Sequence, residues 1–419
     1  MMPDDLRVNS DRLWQSIMAM AEIGATPGGG VDRLALTDTD KAARDLFVEW
    51  CEAAGCTVTV DGLGNIFARR KGKSDRPAVL VGSHLDSQPL GGKFDGAYGV
   101  LAGLEIVRTL NDADIATQAP IEVVNWTDEE GVRFAAGMLA SGAFAGLCEV
   151  DAVRAVADAT GLALGEELDR IGYAGAAPVG GREIDSFFEA HIEQGPMLEN
   201  ADRAVAVVTG AQAQRCFRVT VVGEEGHAGT VPMDGRRDAL LGAARMVDAL
   251  NRLAFEFEPR PVITVGAMHV RPNSRNTISG RTTLTIDSRH PSGSTLAQIH
   301  QKIETSCRRI AAEAGLEVEI TQTSERPAIT FDPDRAQLLR EVADRLAIPY
   351  LDLYSGAGHD ACNLAHVAPS AMVFVRCAGG ISHNERESAT AADLAAGADL
   401  SLYAILARAG VAAATEYET

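Results

Sequence analysis

Cationic side chains are scarce in this chain of 419 residues: 38 Lys and Arg stand against 58 Asp and Glu, a formal net charge of −20. Such a surface repels phosphate backbones and anionic lipid, which argues against nucleic acid or a membrane as partner. Long apolar runs are missing too: none approaches the roughly 20 residues that span a bilayer. The N-terminal stretch MMPDDLRVNSDRLWQ is acidic and polar, without the apolar core of a signal peptide. No CxxC pair occurs, and the seven cysteines (Cys51, Cys56, Cys148, Cys216, Cys307, Cys362 and Cys377) are odd in number and scattered. Several lie in apolar segments such as FVRCAGG, so they are expected as buried free thiols in a reducing cytoplasm. Repeats and low-complexity tracts are absent. What is present is ordinary globular usage, with 46% apolar residues and a length that favours two domains.

The first part alternates helix-like and strand-like segments. DTDKAARDLFVEWCEAAG carries apolar residues at helical spacing, with Ala42, Ala43, Leu46, Phe47 and Trp50 expected on the buried face. CTVTVDGLGNIFARR reads as two short strands around a turn, PAVLVGSHLDS and PIEVVNWTDEEG as buried strands with polar ends, and GVLAGLEIVRTLND as the helix between them. Apolar strands joined by helices imply an α/β layer with a mostly parallel sheet. Ligands of such sheets bind beyond the carboxyl ends of the strands, which places SHLDS and TDEEG at one crevice. The middle changes style. CFRVTVVGEEGHAGT alternates at period two, and the segments that follow run β-α-β-β-α-β, an open α/β sandwich with antiparallel pairing. RAQLLREVADRLAI, SAMVFVRCAG and the final helix return to the first style. The expected organisation is a catalytic domain of residues 1–212 and 329–419 with an inserted domain over 213–328.

Metal-ligand residue types gather at the predicted strand ends and at Gly-rich turns. His84 and Asp86 close one strand, Asp95 lies in GGKFDGAYG, Asp128, Glu129 and Glu130 close another, His191 is in EAHIEQGP and His383 in GGISHNERE. Each alone has an ordinary alternative: a hydrogen-bonded loop histidine or a solvated acidic turn. Together, beside glycines that admit close backbone approach, they point to a site for a borderline divalent metal.

The strings GSHLDSQPLGGKFDGAYGVLAGLE, NWTDEEGVRF, EAHIEQGPMLE, GEEGHAGTVPMDGRRDA, SGAGHDA and ISHNERE, in this order, resemble the amidase family of hydantoinase/carbamoylase type, within the dizinc M20 aminoacylase and peptidase superfamily. The resemblance implies a catalytic α/β domain whose inserted domain serves for homodimerisation and as a lid, hinged near residues 212 and 329. It implies two divalent ions bridged by Asp95, one held also by His84 and His191, the other by Glu130 and His383. Zinc suits these donors, and manganese, cobalt or nickel also fit. Asp86 would accept a hydrogen bond from the His84 ring, and Glu129, beside a ligand, would act as general base.

For the substrate, the resemblance implies His227 and Asn276 near the reacting oxygen and Arg289 on a substrate carboxylate, a task suited to its planar fork. Gln194, Gly356 and Gly358 would meet the ureido or amide head. His359 and Asp360 resemble a site-lining pair, with a structural role equally open. The expected reaction is hydrolysis of an N-carbamoyl amino acid, an L-amino acid derivative or N-carbamoyl-β-alanine, to amino acid, carbon dioxide and ammonia. Gln88 and Pro89 favour this over allantoate or ureidoglycine chemistry, and His191 argues against an aminoacylase or dipeptidase. A catalytically silent binding protein is the rival of another class, opposed by the intact Glu129.

Overall fold

The computed structural model describes residues 5–134 and 136–412. The described residues form two compact units, divided between residues 209 and 210 and between residues 329 and 330, the middle stretch of 210–329 being the second unit. Among the described residues no helix is long and apolar enough to cross a membrane.

The first unit is built on a mixed sheet whose centre is parallel. Ile121–Trp126, Ala78–His84, Ile184–Ile192 and Ser370–Val375 lie side by side in that order, all pointing one way. Ile66–Arg70 and Thr57–Val60 extend one flank antiparallel, and Val205–Ala211 pairs antiparallel with Ser370–Val375 on the other. Every residue of Ala78–His84, Ile121–Trp126 and Ser370–Val375 is buried, as expected of strands covered on both faces. Each fully buried Val or Ile there contributes about 1.5–3 kcal/mol of hydrophobic stabilisation. Helices Ala97–Asp112 and Ala391–Ala409 pack on this sheet and are themselves almost wholly buried, so their apolar character continues around the helix. The parallel register sets His84 opposite Trp126 and His191 opposite Phe374, which brings the carboxyl ends of all four strands to one edge.

Two expectations need correction. Helix Asp38–Ala53 buries Asp40, Ala43, Arg44, Phe47 and Cys51, whereas Ala42 is exposed. The stripe is rotated because Arg44 Nε donates to Asp40 Oδ2 at 2.7 Å with both side chains fully buried; the Leu36 N–H and the Gly64 carbonyl add partners to the pair, while Asp40 Oδ1 has none. A charged pair reads as surface by residue type, yet it is tolerated inside when its hydrogen bonds are made. None of the cysteines forms a disulfide, but Cys148 is exposed and Cys216 half-buried, the former in a loop and the latter on a strand with one face uncovered. Strand Ile184–Ile192 and helices Ser10–Ala21 and Leu164–Ile171 had no sequence assignment; buried Glu189 interrupts the apolar run that would have marked the strand.

The second unit is a four-stranded antiparallel sheet in the order Glu317–Arg326, Ala213–Val222, Arg281–His290, Val262–Arg271. Helices Ala239–Leu253 and Gly293–Glu313 cover one face, closing a core of Phe217, Val219, Val221, Met246, Leu284 and Ile299. The alternating exposure of Val262–Arg271 reflects the uncovered other face. A short ribbon, Gly226–His227 paired with Thr277–Ile278, projects from the sheet connections.

Candidate metal centre

Four loops leave the carboxyl edge of the parallel strands and carry the candidate side chains of the first unit. His84 is the last residue of its strand and His191 the last but one of Ile184–Ile192. Asp95 is delivered by a γ-turn: the Ala97 N–H donates to the Asp95 carbonyl at 2.6 Å around Gly96, with φ 63° and ψ −51°. Only glycine adopts that conformation readily. The Gly96 position has no room for a side chain either, since a Cβ there would lie 2.3 Å from His84 Cε1. Asp128, Gln194 and His383 also carry positive φ, at 57°, 58° and 52°, so the backbone is strained where these loops converge.

Asp95 sits at the centre, and its two oxygens face different histidines. Oδ1 is 3.1 Å from His191 Nε2 and 3.9 Å from His84 Nε2, while Oδ2 is 3.3 Å from His383 Nε2. His383 Nε2 is also 3.6 Å from Glu130 Oε2. Glu129 Oε2 approaches His84 Nε2 to 3.5 Å. His84, Asp95 and His191 form one group with ligand atoms close enough to share an ion; Asp95, Glu130 and His383 form a second. Hydrogen bonds orient the rings for that use: His84 Nδ1–H donates to the Asp86 carbonyl at 2.9 Å and His191 Nδ1–H to the Ile192 carbonyl at 2.9 Å. Each ring therefore turns its Nε2 toward Asp95, and that of His191 also lies 3.3 Å from the Gly96 main-chain nitrogen. His84 Nε2 is buried without a hydrogen-bond partner. An orphaned acceptor aimed at carboxylates, in a set of imidazoles and carboxylates, fits a divalent cation.

A supporting shell holds these groups. The His84 ring uses the Asp86 main-chain carbonyl, with the Asp86 carboxylate 3.7 Å away, so the expected side-chain bond is replaced by a main-chain one. The Asp86 carboxylate instead accepts the N–H groups of Glu129 (3.3 Å) and Glu130 (3.1 Å), fastening one strand end to the next. Gln88 donates to Glu130 through its main-chain N–H at 3.2 Å and its side-chain amide at 2.7 Å. Gln194 Nε2 reaches Asp95 Oδ2 at 2.9 Å and Ser382 Oγ at 3.2 Å, which places it on the central carboxylate. Glu387 accepts the N–H groups of Phe94 (2.9 Å) and Asp95 (3.1 Å) and the Ser382 hydroxyl (2.8 Å). Glu189, beneath His191, accepts from Ser83 Oγ and the Ala361 N–H. Sequence reasoning passed over Ser382, Glu387 and Glu189. Glu387, four residues after His383, was the one within reach of a motif argument.

Charge is concentrated and dry here. Burial opposes the charged His191, but the Asp95 hydrogen bond outweighs it and pushes the ring up to about 9. His383 is raised by the same carboxylate. Asp95 is held well below the usual carboxylate range: burial acts against this, and the hydrogen bonds from His191 and His383 prevail. Burial, then the Asp360 and Glu130 charges, raise Glu129 well above its ordinary value. Burial and then Asp95 push Glu130 up to about 6 and Glu387 up to about 7, the latter against the three hydrogen bonds that favour its ionised form. A proton acceptor with a raised pKa beside a cation cage is equipped for general base chemistry.

The remaining predicted residues separate into two groups. His359 is buried in the first unit with Nε2 2.9 Å from Ser355 Oγ and its ring edge-on to His191 at 4.5 Å between centroids; burial, then His191, hold it well below its ordinary value. Asp360 is buried beside it, Gly358 is half-buried and Gly356 exposed on the loop leading there. His227, Asn276 and Arg289 belong to the second unit. His227 and Asn276 come together on the short ribbon, where the Ala228 N–H donates to the Asn276 carbonyl at 2.9 Å; both are exposed, as is Arg275. His227 Nδ1 accepts from the Gly229 N–H at 3.0 Å, which leaves Nε2 as the outward donor. Arg289 is forked onto Asp287, two residues away on the same strand, at 3.1 and 2.8 Å, and Gln214 donates to the same carboxylate. Asp287, unpredicted, thus orients the arginine.

The sequence pattern of "Peptidase family M20/M25/M40" matches residues 80–407. An N-carbamoyl-L-amino-acid amidohydrolase of Rhizobium meliloti is 44% identical over 409 residues, covering 97% of this chain and 98% of the relative. An allantoate amidohydrolase of Escherichia coli is 33% identical over 381 residues, covering 90% and 93%. The crystal structure of an amidase of the hydantoinase/carbamoylase family from Burkholderia multivorans superposes with a TM-score of 0.94 at 54% identity, covering 96% and 98%.

Proposed function

The chain belongs to the M20/M25/M40 peptidase family, among its hydantoinase/carbamoylase amidases, and from that premise we propose that it is a metal-dependent amidohydrolase of N-carbamoyl amino acids. It cleaves a linear C–N bond, releasing the amino acid, carbon dioxide and ammonia. The observation that carries the reading is the central carboxylate with one oxygen toward His84 and His191 and the other toward His383 and Glu130. Two divalent ions, zinc by preference and manganese, cobalt or nickel by the same donors, are assigned to these two sets with Asp95 shared. When bound they supply Lewis-acid activation of water and of the scissile carbonyl.

The protein's own groups do the rest. Glu129 takes the proton of the attacking water and returns it to the leaving nitrogen. Its raised pKa and its position beside His84 Nε2 support that role. Gln194 and the Gly356–Gly358 loop are assigned to the ureido head, His227 and Asn276 to the oxygen that gains charge, and Arg289 to the substrate carboxylate, where a planar fork makes two parallel bonds. We assign the second unit, as a lid, to homodimer formation, which sedimentation at micromolar concentration checks.

The Rhizobium relative favours a carbamoyl amino acid over allantoate, being the more similar of the two at 44% against 33% identity. The test is ammonia release by metal-loaded protein from N-carbamoyl-L-amino acids, N-carbamoyl-β-alanine, allantoate and N-acyl amino acids. Fastest turnover on a carbamoyl amino acid is expected. No turnover on any of them with metal bound refutes the enzyme, and turnover on allantoate alone moves the assignment to the second reading.

A further inference from the structure

The Ser382 hydroxyl stands between two carboxylates and owns a single proton. Its oxygen is 2.8 Å from Glu387 Oε2 and 3.2 Å from Asp95 Oδ2. It is also 3.2 Å from Gln194 Nε2, whose other N–H reaches Asp95 Oδ2 at 2.9 Å. A hydroxyl donates once and accepts through two lone pairs. With the shorter approach to Glu387, the chain of donation runs from the Gln194 amide to Ser382 and from Ser382 to Glu387. Asp95 Oδ2 then lacks the serine proton, and a lone pair of that oxygen stays available on the side of His383 and Glu130. The Glu387 carboxylate cannot swing away: the Phe94 and Asp95 N–H groups hold Oε1, and a Cβ on Gly92 would fall 1.9 Å from its carboxyl carbon.

We propose that Glu387 is a positioning residue that draws the Ser382 hydroxyl proton off Asp95 and so keeps Oδ2 free to hold a cation. The inference rests on the assignment of Asp95 as the shared ligand. It predicts the effect of an isosteric change. In Glu387→Gln the two main-chain N–H groups keep the amide oxygen at Oε1, which turns the new NH2 toward Ser382. Ser382 must then accept from that amide, and its proton turns to Asp95 Oδ2.

The experiment is calorimetric titration of cobalt into metal-free protein at pH 8, with circular dichroism confirming that each variant is folded. E387Q is expected to bind at one of the two sites about 10- to 100-fold more weakly. Adding Ser382→Ala, which removes the misdirected proton, restores binding to within a few-fold of the parent. S382A alone retains parental affinity, because its proton never served Asp95; this arm stands even if E387Q does not fold. Unchanged binding in E387Q, a loss that S382A does not rescue, or a tenfold loss in S382A alone overturns the inference while leaving the metal centre in place. A parent protein that takes up no ion overturns both, and that outcome is read before any variant is made.

Discussion

Replacing Gly96 by alanine puts the geometry of the centre under direct test. The residue sits in a γ-turn at φ 63° and ψ −51°, a conformation that costs an L-residue about 1–3 kcal/mol. Its Cβ would lie 2.3 Å from His84 Cε1 and 2.4 Å from both ring nitrogens, so the imidazole must retreat by about an ångström to reach ordinary van der Waals distance. That retreat breaks the 2.9 Å bond from His84 Nδ1–H to the Asp86 carbonyl, which costs a further 0.5–1.5 kcal/mol, roughly. The sum is about 1.5–4.5 kcal/mol of lost stability, with His84 Nε2 displaced from Asp95. Urea denaturation of metal-free protein measures the first part. Calorimetric metal titration measures the second, expected as at least about a tenfold loss at one site with the other retained. Parental stability together with parental affinity at both sites would refute the reasoning, because the ring would then have room that the structure denies it.

Further outcomes follow from the same geometry. Glu129→Gln is expected to keep two ions by elemental analysis and to lower kcat by about 10²–10⁴, the usual worth of a general base; retained turnover places the base elsewhere. Arg289→Met should raise KM for the carbamoyl amino acid by about 10- to 150-fold, the worth of a charge-assisted pair, and Arg289→Lys should recover little of it because the fork is lost; equal KM values in all three proteins remove Arg289 from the carboxylate. Metal-free protein should lose stability as pH rises. His191 at about 9 lies above its unfolded value, so its contribution is whole below pH 6.5 and disappears as pH climbs through 9. Glu130 at about 6 and Glu387 at about 7 are also raised, so the folded protein holds extra protons there and the slope has the same sign from about pH 4.5 upward. Denaturant midpoints at intervals from pH 5 to 10 check this, and a rise with pH contradicts it. By the same linkage, metal binding at pH 7 should release protons, seen as buffer-dependent calorimetric heats.

Much of this protein was legible from residue order alone. Apolar runs ending in SHLDS and TDEEG announced parallel strands with a crevice at their carboxyl edge, because strands covered on both faces need unbroken apolar sequence. The same logic failed where charge lies inside: Asp40 and Arg44 on the buried stripe of their helix, and Glu189 in a central strand, read as surface until their hydrogen bonds are seen. Residue types at strand ends and Gly-rich turns pointed to a metal site among eight candidates, and the family resemblance narrowed the ligands to His84, Asp95, Glu130, His191 and His383. Which atoms face one another is a tertiary matter. That Asp95 divides its oxygens between two sets, that His84 leans on the Asp86 main chain, and that Ser382 and Glu387 stand behind Asp95 depend on where loops about 290 residues apart in sequence, Asp95 and Ser382 for instance, come to rest. Periodicity and composition are properties of neighbours along the chain. A coordination shell is a property of neighbours in space, and only folding the strands side by side creates it.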